Sequence, residues 1–104
     1  GYRARSMAIG GDSAGGGLTA ATLVRLRDEG RPLPAAGFMF SPWADLAGTG
    51  ESVKSRARLD PMIVGDLALF GKFYVGPGGD PCHPLISPIH ADLRGLPPLL
   101  IQVG

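Results

Sequence analysis

The sequence predicts an α/β chain built around a parallel sheet, and three observations point that way. A short apolar run at 6–9 stops at Gly10-Gly11, a stretch with helical spacing follows at 18–29, and a second, almost wholly apolar run occupies 35–41. Strand, helix and strand within about 35 residues make a βαβ unit, whose crossover leaves the two strands parallel neighbours.

In the first run, Ser6-Met7-Ala8-Ile9, the flanking glycines argue for a buried strand. In the helix, Leu18, Ala21, Thr22, Leu23 and Leu26 gather near one side, while Arg25, Asp28 and Glu29 serve the wet side. Gly30 suits the left-handed position past a helix end, and Pro32 and Pro34 forbid continuation. Ala35 to Ser41 lacks the alternation of a half-exposed strand, as expected of a strand buried on both faces. From Pro42 to Leu59 the periodicity is lost, with Gly48-Thr49-Gly50 as loop. Residues 66–75 read as a helix, with Leu67, Phe70 and Tyr74 on one side, Leu69 and Phe73 beside them, and Asp60-Pro61 or Gly65-Asp66 as start signals. A Gly- and Pro-rich stretch then runs to Pro98, and a third strand at 99–103 closes the chain. Three strands and two helices leave apolar faces and open edges in water, so the 104 residues are expected to be part of a larger domain. The alternative is a compact three-stranded domain covered by its own loops.

Composition removes several classes of function. Gly and Pro are abundant (17 and 10), but 44 % of residues are hydrophobic and net charge is +1, which argues against disorder. Ten Lys and Arg against nine Asp and Glu leave no basic excess for nucleic acid. No apolar run reaches the ~18–20 residues of a membrane span, and none resembles a signal peptide, which gives the expectation of a cytoplasmic protein. One cysteine, Cys82, and two histidines make neither an internal disulfide nor a credible zinc set, so no metal is expected. Cys82 reads as a small, at least half-buried packing residue.

The chemistry lies between the first strand and the first helix, in Gly10-Gly11-Asp12-Ser13-Ala14-Gly15-Gly16-Gly17. Gly11 to Gly15 spell G-x-S-x-G, in which the serine occupies a strained strand-to-helix turn that holds its Oγ exposed. The glycines two before and two after the serine fit a close approach of strand and helix. The helix N-terminus aims unpaired N–H groups at the reacting centre, and the Ala14 N–H is placed to stabilise an oxyanion. Alternatively, Ser13 merely caps the helix. A phosphate loop fails, because Gly16 and Gly17 stand where Lys and Ser/Thr belong. A dinucleotide fingerprint through Gly15, Gly17 and Ala20, with Asp45 downstream, begins inside the presumed helix.

Gly10 to Gly16 resembles the GDSAGG nucleophile elbow of the hormone-sensitive-lipase-like (bacterial family IV) carboxylesterases, which are α/β-hydrolases. The likeness continues in Ser41-Pro42-Trp43-Ala44-Asp45-Leu46, in Asp80 to Pro88, and in Ala91 to Gly104. It covers nearly the whole chain in the family's order. The resemblance implies a partial α/β-hydrolase fold, with residues 1–104 an internal part of one domain and 43–75 an excursion contributing to a cap. It implies Ser13 as the nucleophile that forms an acyl-enzyme, Ala14 as an oxyanion donor, and Gly11, Asp12, Gly15 and Gly16 as elbow support, Asp12 by side-chain hydrogen bonds. Small esters are the implied substrates, with no cofactor, and the remainder of the parent chain is the implied partner; the resemblance leaves the oligomeric state open.

The family's oxyanion motif belongs upstream of the elbow, and its triad acid and histidine follow the strand that ends at Val103-Gly104. His83 and His90, in Pro-rich segments, are read as loop residues rather than the base, and Asp45, Asp60 and Asp80 as turn and cap residues. Without a base Ser13 is a poor nucleophile, so the chain alone is expected to be inactive and poorly soluble. Trp43, Met62, Phe70, Phe73 and Tyr74 are candidates for an acyl pocket, against ordinary core packing. The alternative function is a non-catalytic truncated module that binds acyl-like ligands or a partner chain.

Overall fold

The structure, a computed structural model, describes residues 1–59 and 67–104. Strands β1 (Ala8–Asp12), β2 (Ala36–Phe40) and β3 (Leu99–Gln102) form one parallel sheet in that order. Ala8 pairs with Ala36 and Asp12 with Phe40; Gly37 pairs with Leu99 and Phe40 with Gln102. Helix α1 (Ala14–Asp28) makes the first crossover, while α2 (Glu51–Ser55), α3 (Leu67–Val75) and a 3-10 turn at Pro88–His90 lie in the long second one. The predicted class, with its parallel strands and a helix directly after Ser13, is the one observed.

Two boundaries differ from the sequence reading, for one reason. β1 does not stop at Gly10-Gly11 but runs through both to Asp12, while Ser6 belongs to a 3-10 turn. α1 begins at Ala14, so Gly15, Gly16 and Gly17 are helical. Gly10, Gly11, Gly16 and Gly17 make room for neighbours instead of ending elements. The Phe38 ring occupies the space of a Gly10 side chain, a Cβ on Gly16 would lie 2.8 Å from Pro42 Cα, and one on Gly17 would strike the Trp43 carbonyl oxygen. Glycine disfavours a helix by roughly 1 kcal/mol per residue, and here the close packing overrides that preference.

α1 buries Gly16, Gly17, Thr19, Ala20, Ala21, Leu23 and Val24, and Leu23, Val24 and Met39 form the centre of the core. The buried stripe is rotated from the expected one, and Leu18 stands 58 % exposed. Gly30, at φ +63°, ends the helix as expected. Its N–H bonds the Arg27 carbonyl and the Arg31 N–H bonds the Leu26 carbonyl, which is a Schellman closure.

α1 covers one face of the sheet only. Along β2, Gly37 and Met39 are buried beneath it, while Phe38 and Phe40 point the other way and remain 40 % and 41 % exposed. Their rings pack together at 5.7 Å. Leu100 extends the open patch. The expected burial of β2 on both faces is therefore met on one, and among the described residues no loop covers the other.

The second crossover is fastened by a few polar contacts. Ser87 is fully buried; its Oγ accepts from the Leu46 N–H at 2.8 Å and donates to the Pro81 carbonyl at 2.6 Å. Arg27 donates from Nη1 to the carbonyls of Asp92 and Arg94, tying the following loop to the end of α1. Ser87→Ala orphans both Ser87 partners, and a loss of about 1–3 kcal/mol is expected in denaturant unfolding of the complete protein. Cys82, expected to be at least half-buried, is exposed, because Asp80 Oδ1 accepts the Cys82 N–H in a tight turn that faces water.

Candidate active site

Ser13 sits at the handover from β1 to α1 with φ +53° and ψ −117°, on the positive-φ side that only glycine enters freely. Its backbone is tied down on both sides. Its N–H donates to the Phe40 carbonyl at 2.9 Å, and its carbonyl accepts from Gly16 (3.0 Å), Gly17 (3.2 Å) and Trp43 (2.8 Å). With the carbonyl turned inward, the side chain is left exposed. Ser13 Oγ makes no capping hydrogen bond, so the structure does not support a mere helix cap. Ala14 and Gly15 open the helix, and among the described residues their N–H groups donate to no backbone carbonyl.

The flanking residues are not equivalent. A Cβ on Gly11 would collide with the carbonyl group of Gly15, whereas one on Gly15 meets nothing within 4 Å. The close approach expected of both glycines is thus made at Gly11, with Gly16 and Gly17 as the further tight positions. Asp12 lies exposed at the end of β1, and its carboxylate accepts no hydrogen bond among the described residues. Alternation along the strand places it with Ala8 and Gly10 on the open side of the sheet, so the bracing expected of Asp12 is performed by the backbone bonds of Ser13.

Ser13 borders a cleft of about 520 Å³ between α1 and α3. Of the five residues expected to line a pocket, Trp43, Phe70 and Tyr74 share this cleft with Ser13. Phe73 does not; it is 73 % exposed and borders a second cavity of about 620 Å³. Met62 lies outside the described residues, as do Asp60 and Asp66. Phe70 and Tyr74 are exposed towards the cleft, not packed in a core. The sequence reading missed Leu18, Ala21, Leu46, Leu67, Leu85 and Ile86 as lining residues. Leu18 and Ala21 stand one helical turn apart, and were findable once α1 is started at Ala14. Leu85 and Ile86 arrive from the far end of the crossover and carry no local signal.

Trp43 ties the cleft to the loop behind it. Its Nε1–H donates to the Asp45 carbonyl at 3.2 Å, and Asp45 Oδ2 accepts from the N–H (2.7 Å) and hydroxyl (2.8 Å) of Thr49 and from the Gly50 N–H (3.2 Å). Burial alone pushes the Asp45 carboxyl up, but the hydrogen bonds from Thr49 and Gly50 outweigh it and hold the group below the ordinary carboxylate value. Asp45 and Asp80 thus fasten turns, as expected of them. His83 and His90 do not line the cleft; His83 Nδ1 accepts from the Leu85 N–H within its own loop. Gly15, Gly17 and Ala20 all lie within α1, which removes the strand-to-helix turn that a dinucleotide fingerprint requires. Among the described residues no cluster of His, Cys, Asp or Glu is arranged to hold a metal, and no helix is long and apolar enough to cross a membrane.

Known proteins share this arrangement. An acetyl-hydrolase of Streptomyces hygroscopicus is 54 % identical over 97 residues, which are 92 % of this chain and 32 % of that protein. A crystal structure of an esterase from the bacterial hormone-sensitive lipase family matches with a TM-score of 0.92 at 52 % identity, over 100 % of this chain and 35 % of that one. The crystal structure of EstE5–PMSF matches with a TM-score of 0.88 at 48 % identity, over 97 % and 33 % of the two chains. The chain therefore spans about a third of the length of these relatives. Residues 1–104 match the α/β-hydrolase fold family throughout. With its serine turn and parallel sheet, and matched along nearly all of its own length, the chain belongs to the α/β-hydrolase fold family, and within it to the hormone-sensitive-lipase-like group.

Proposed function

We propose that the protein containing this chain is a serine carboxylesterase that hydrolyses small carboxylic esters, with Ser13 as nucleophile. The observation that carries this reading is the exposed Ser13, held at φ +53° beside an apolar cleft and in front of two helical N–H groups that donate to no backbone carbonyl among the described residues. In this reading Ser13 Oγ attacks the ester carbonyl carbon while a base takes its proton. The negative charge forming on the carbonyl oxygen is met by the Ala14 N–H. The carbon–oxygen bond to the alcohol breaks, the alcohol leaves with that proton, and water then hydrolyses the acyl-serine to release the acid and restore Ser13.

Neither His83 nor His90 lines the cleft. The base is assigned to the protein beyond these 104 residues, and the chain alone is expected to be inactive. Residues 43–75 contribute Trp43, Phe70 and Tyr74 to the cleft, which supports a cap-forming role for that excursion. The relative crystallised with PMSF supports the serine assignment, since sulfonyl fluorides sulfonylate activated serines, the serine oxygen displacing fluoride from sulfur. The test is to treat the complete protein with a fluorophosphonate probe and map the modified peptide. The adduct is expected on Ser13. A folded protein left unlabelled at Ser13 would overturn the reading in favour of a non-catalytic module.

A further inference from the structure

Thr19 is buried in the second turn of α1 and lines neither the Ser13 cleft nor the second cavity. Its Oγ1–H donates to the Gly15 carbonyl at 2.8 Å, the one side-chain hydrogen bond made to residues 13–17 among the described residues. Buried threonines in helices often satisfy their hydroxyls this way; what sets Thr19 apart is the peptide it holds. The Gly15 carbonyl and the Gly16 N–H belong to one planar peptide, and that N–H donates to the Ser13 carbonyl at 3.0 Å. The Ser13 carbonyl in turn shares a peptide with the Ala14 N–H, and in a trans peptide the two point in opposite directions. A head-to-tail series thus runs from the Thr19 hydroxyl through two peptides to the N–H that faces the oxyanion. Its first link needs holding. Neither Gly15 nor Gly16 has a side chain to fix the peptide between them. Gly11 packs against the Gly15 carbonyl from β1, whereas a Cβ on Gly15 would meet nothing within 4 Å.

We propose that Thr19 is a positioning residue for the oxyanion donor: its hydroxyl fixes the Gly15–Gly16 peptide, and through it the direction of the Ala14 N–H. Two effects act together. The bond limits the swing of a peptide that packing braces from the β1 side, and an added donor on the Gly15 carbonyl polarises that peptide and strengthens the Gly16 N–H as a donor to Ser13. Thr19 itself touches no reacting atom. The inference rests on the esterase reading of Ser13 and Ala14.

The experiment uses the complete enzyme with Thr19→Val, which keeps the branched shape without the hydroxyl, and Thr19→Ser, which keeps the hydroxyl. Two inhibitors separate the oxyanion from the rest of the site. An alkyl trifluoromethyl ketone accepts Ser13 Oγ at its carbonyl carbon; the C=O electron pair moves to oxygen, the serine proton goes to the base and nothing leaves. The matching trifluoromethyl carbinol has the same shape but forms no oxyanion. In Thr19→Val, kcat/KM for p-nitrophenyl acetate is expected to fall about three- to tenfold, part of the ~10²–10³ that a whole oxyanion donor is worth. The Ki of the ketone is expected to rise by the same factor, while that of the carbinol stays within about twofold. Thr19→Ser is expected to restore both kcat/KM and the ketone Ki. An unchanged ketone Ki in Thr19→Val, equal weakening of ketone and carbinol, or no recovery in Thr19→Ser would overturn the proposal. If Thr19→Val fails to fold, Thr19→Ala takes its place in the same comparison. A wild-type enzyme that fluorophosphonate leaves unlabelled at Ser13 instead removes the esterase reading, and this inference falls with it.

Discussion

Ser13→Ala in the complete enzyme is expected to lower kcat for short-chain ester hydrolysis by about 10⁴- to 10⁶-fold. The substitution removes one oxygen that makes no capping hydrogen bond and leaves the ties of the Ser13 backbone in place, so the fold has little to lose. The relevant comparison is between kcat and melting temperature. Loss of rate at unchanged thermal stability locates the effect in the chemistry. Near wild-type turnover in the alanine variant would end the serine assignment. The alanine methyl at a positive φ is no new burden, because serine already carries a Cβ there.

The second large effect separates two glycines that the G-x-S-x-G pattern treats alike. Gly11→Ala drives a methyl into the Gly15 carbonyl group, a backbone neighbour that no rotamer change can clear. A loss of about 3 kcal/mol is expected, enough to reduce soluble yield of the complete protein. Gly15→Ala places its methyl where nothing lies within 4 Å, in the first turn of a helix where alanine is favoured. Its stability is expected to stay within about 1 kcal/mol of wild type. Denaturant midpoints of the two variants check this directly, and equal losses at both positions would contradict the asymmetry.

The local parts of this molecule were legible in its sequence. The βαβ unit shows in three runs of residues, the serine turn in five, and the end of α1 in Gly30 alone. What misled the reading was glycine itself. Gly10, Gly11 and Gly15 to Gly17 look like punctuation, but here they lie inside a strand and a helix, and Phe38, Pro42 and Trp43 press on Gly10, Gly16 and Gly17 while the Gly15 carbonyl presses on Gly11. A residue chosen for what presses on it cannot be told, from one sequence, from a residue chosen to end an element. The cleft was half legible for a related reason. α3 is apolar almost all round, so its pattern does not say that Phe70 and Tyr74 share a hollow with Ser13 while Phe73 turns to another. Leu85 and Ile86 were beyond reach, because only the closed crossover brings them to α1.

That crossover also has a consequence for the order in which the molecule assembles. β3 pairs with β2 across roughly twice the sequence separation that joins β2 to β1. Closing a loop twice as long costs only about 0.6 kcal/mol more entropy, so the finished state hardly registers the added length. Folding speed does, since distant pairings are slow to find. β1, α1 and β2 are therefore expected to associate before β3, with the Ser13 turn already among them, and φ-values in the complete protein check this. The walls of the cleft close later, when β3 docks and the intervening chain settles, so destabilising changes in those walls should speed unfolding and leave the rate of nucleation nearly untouched.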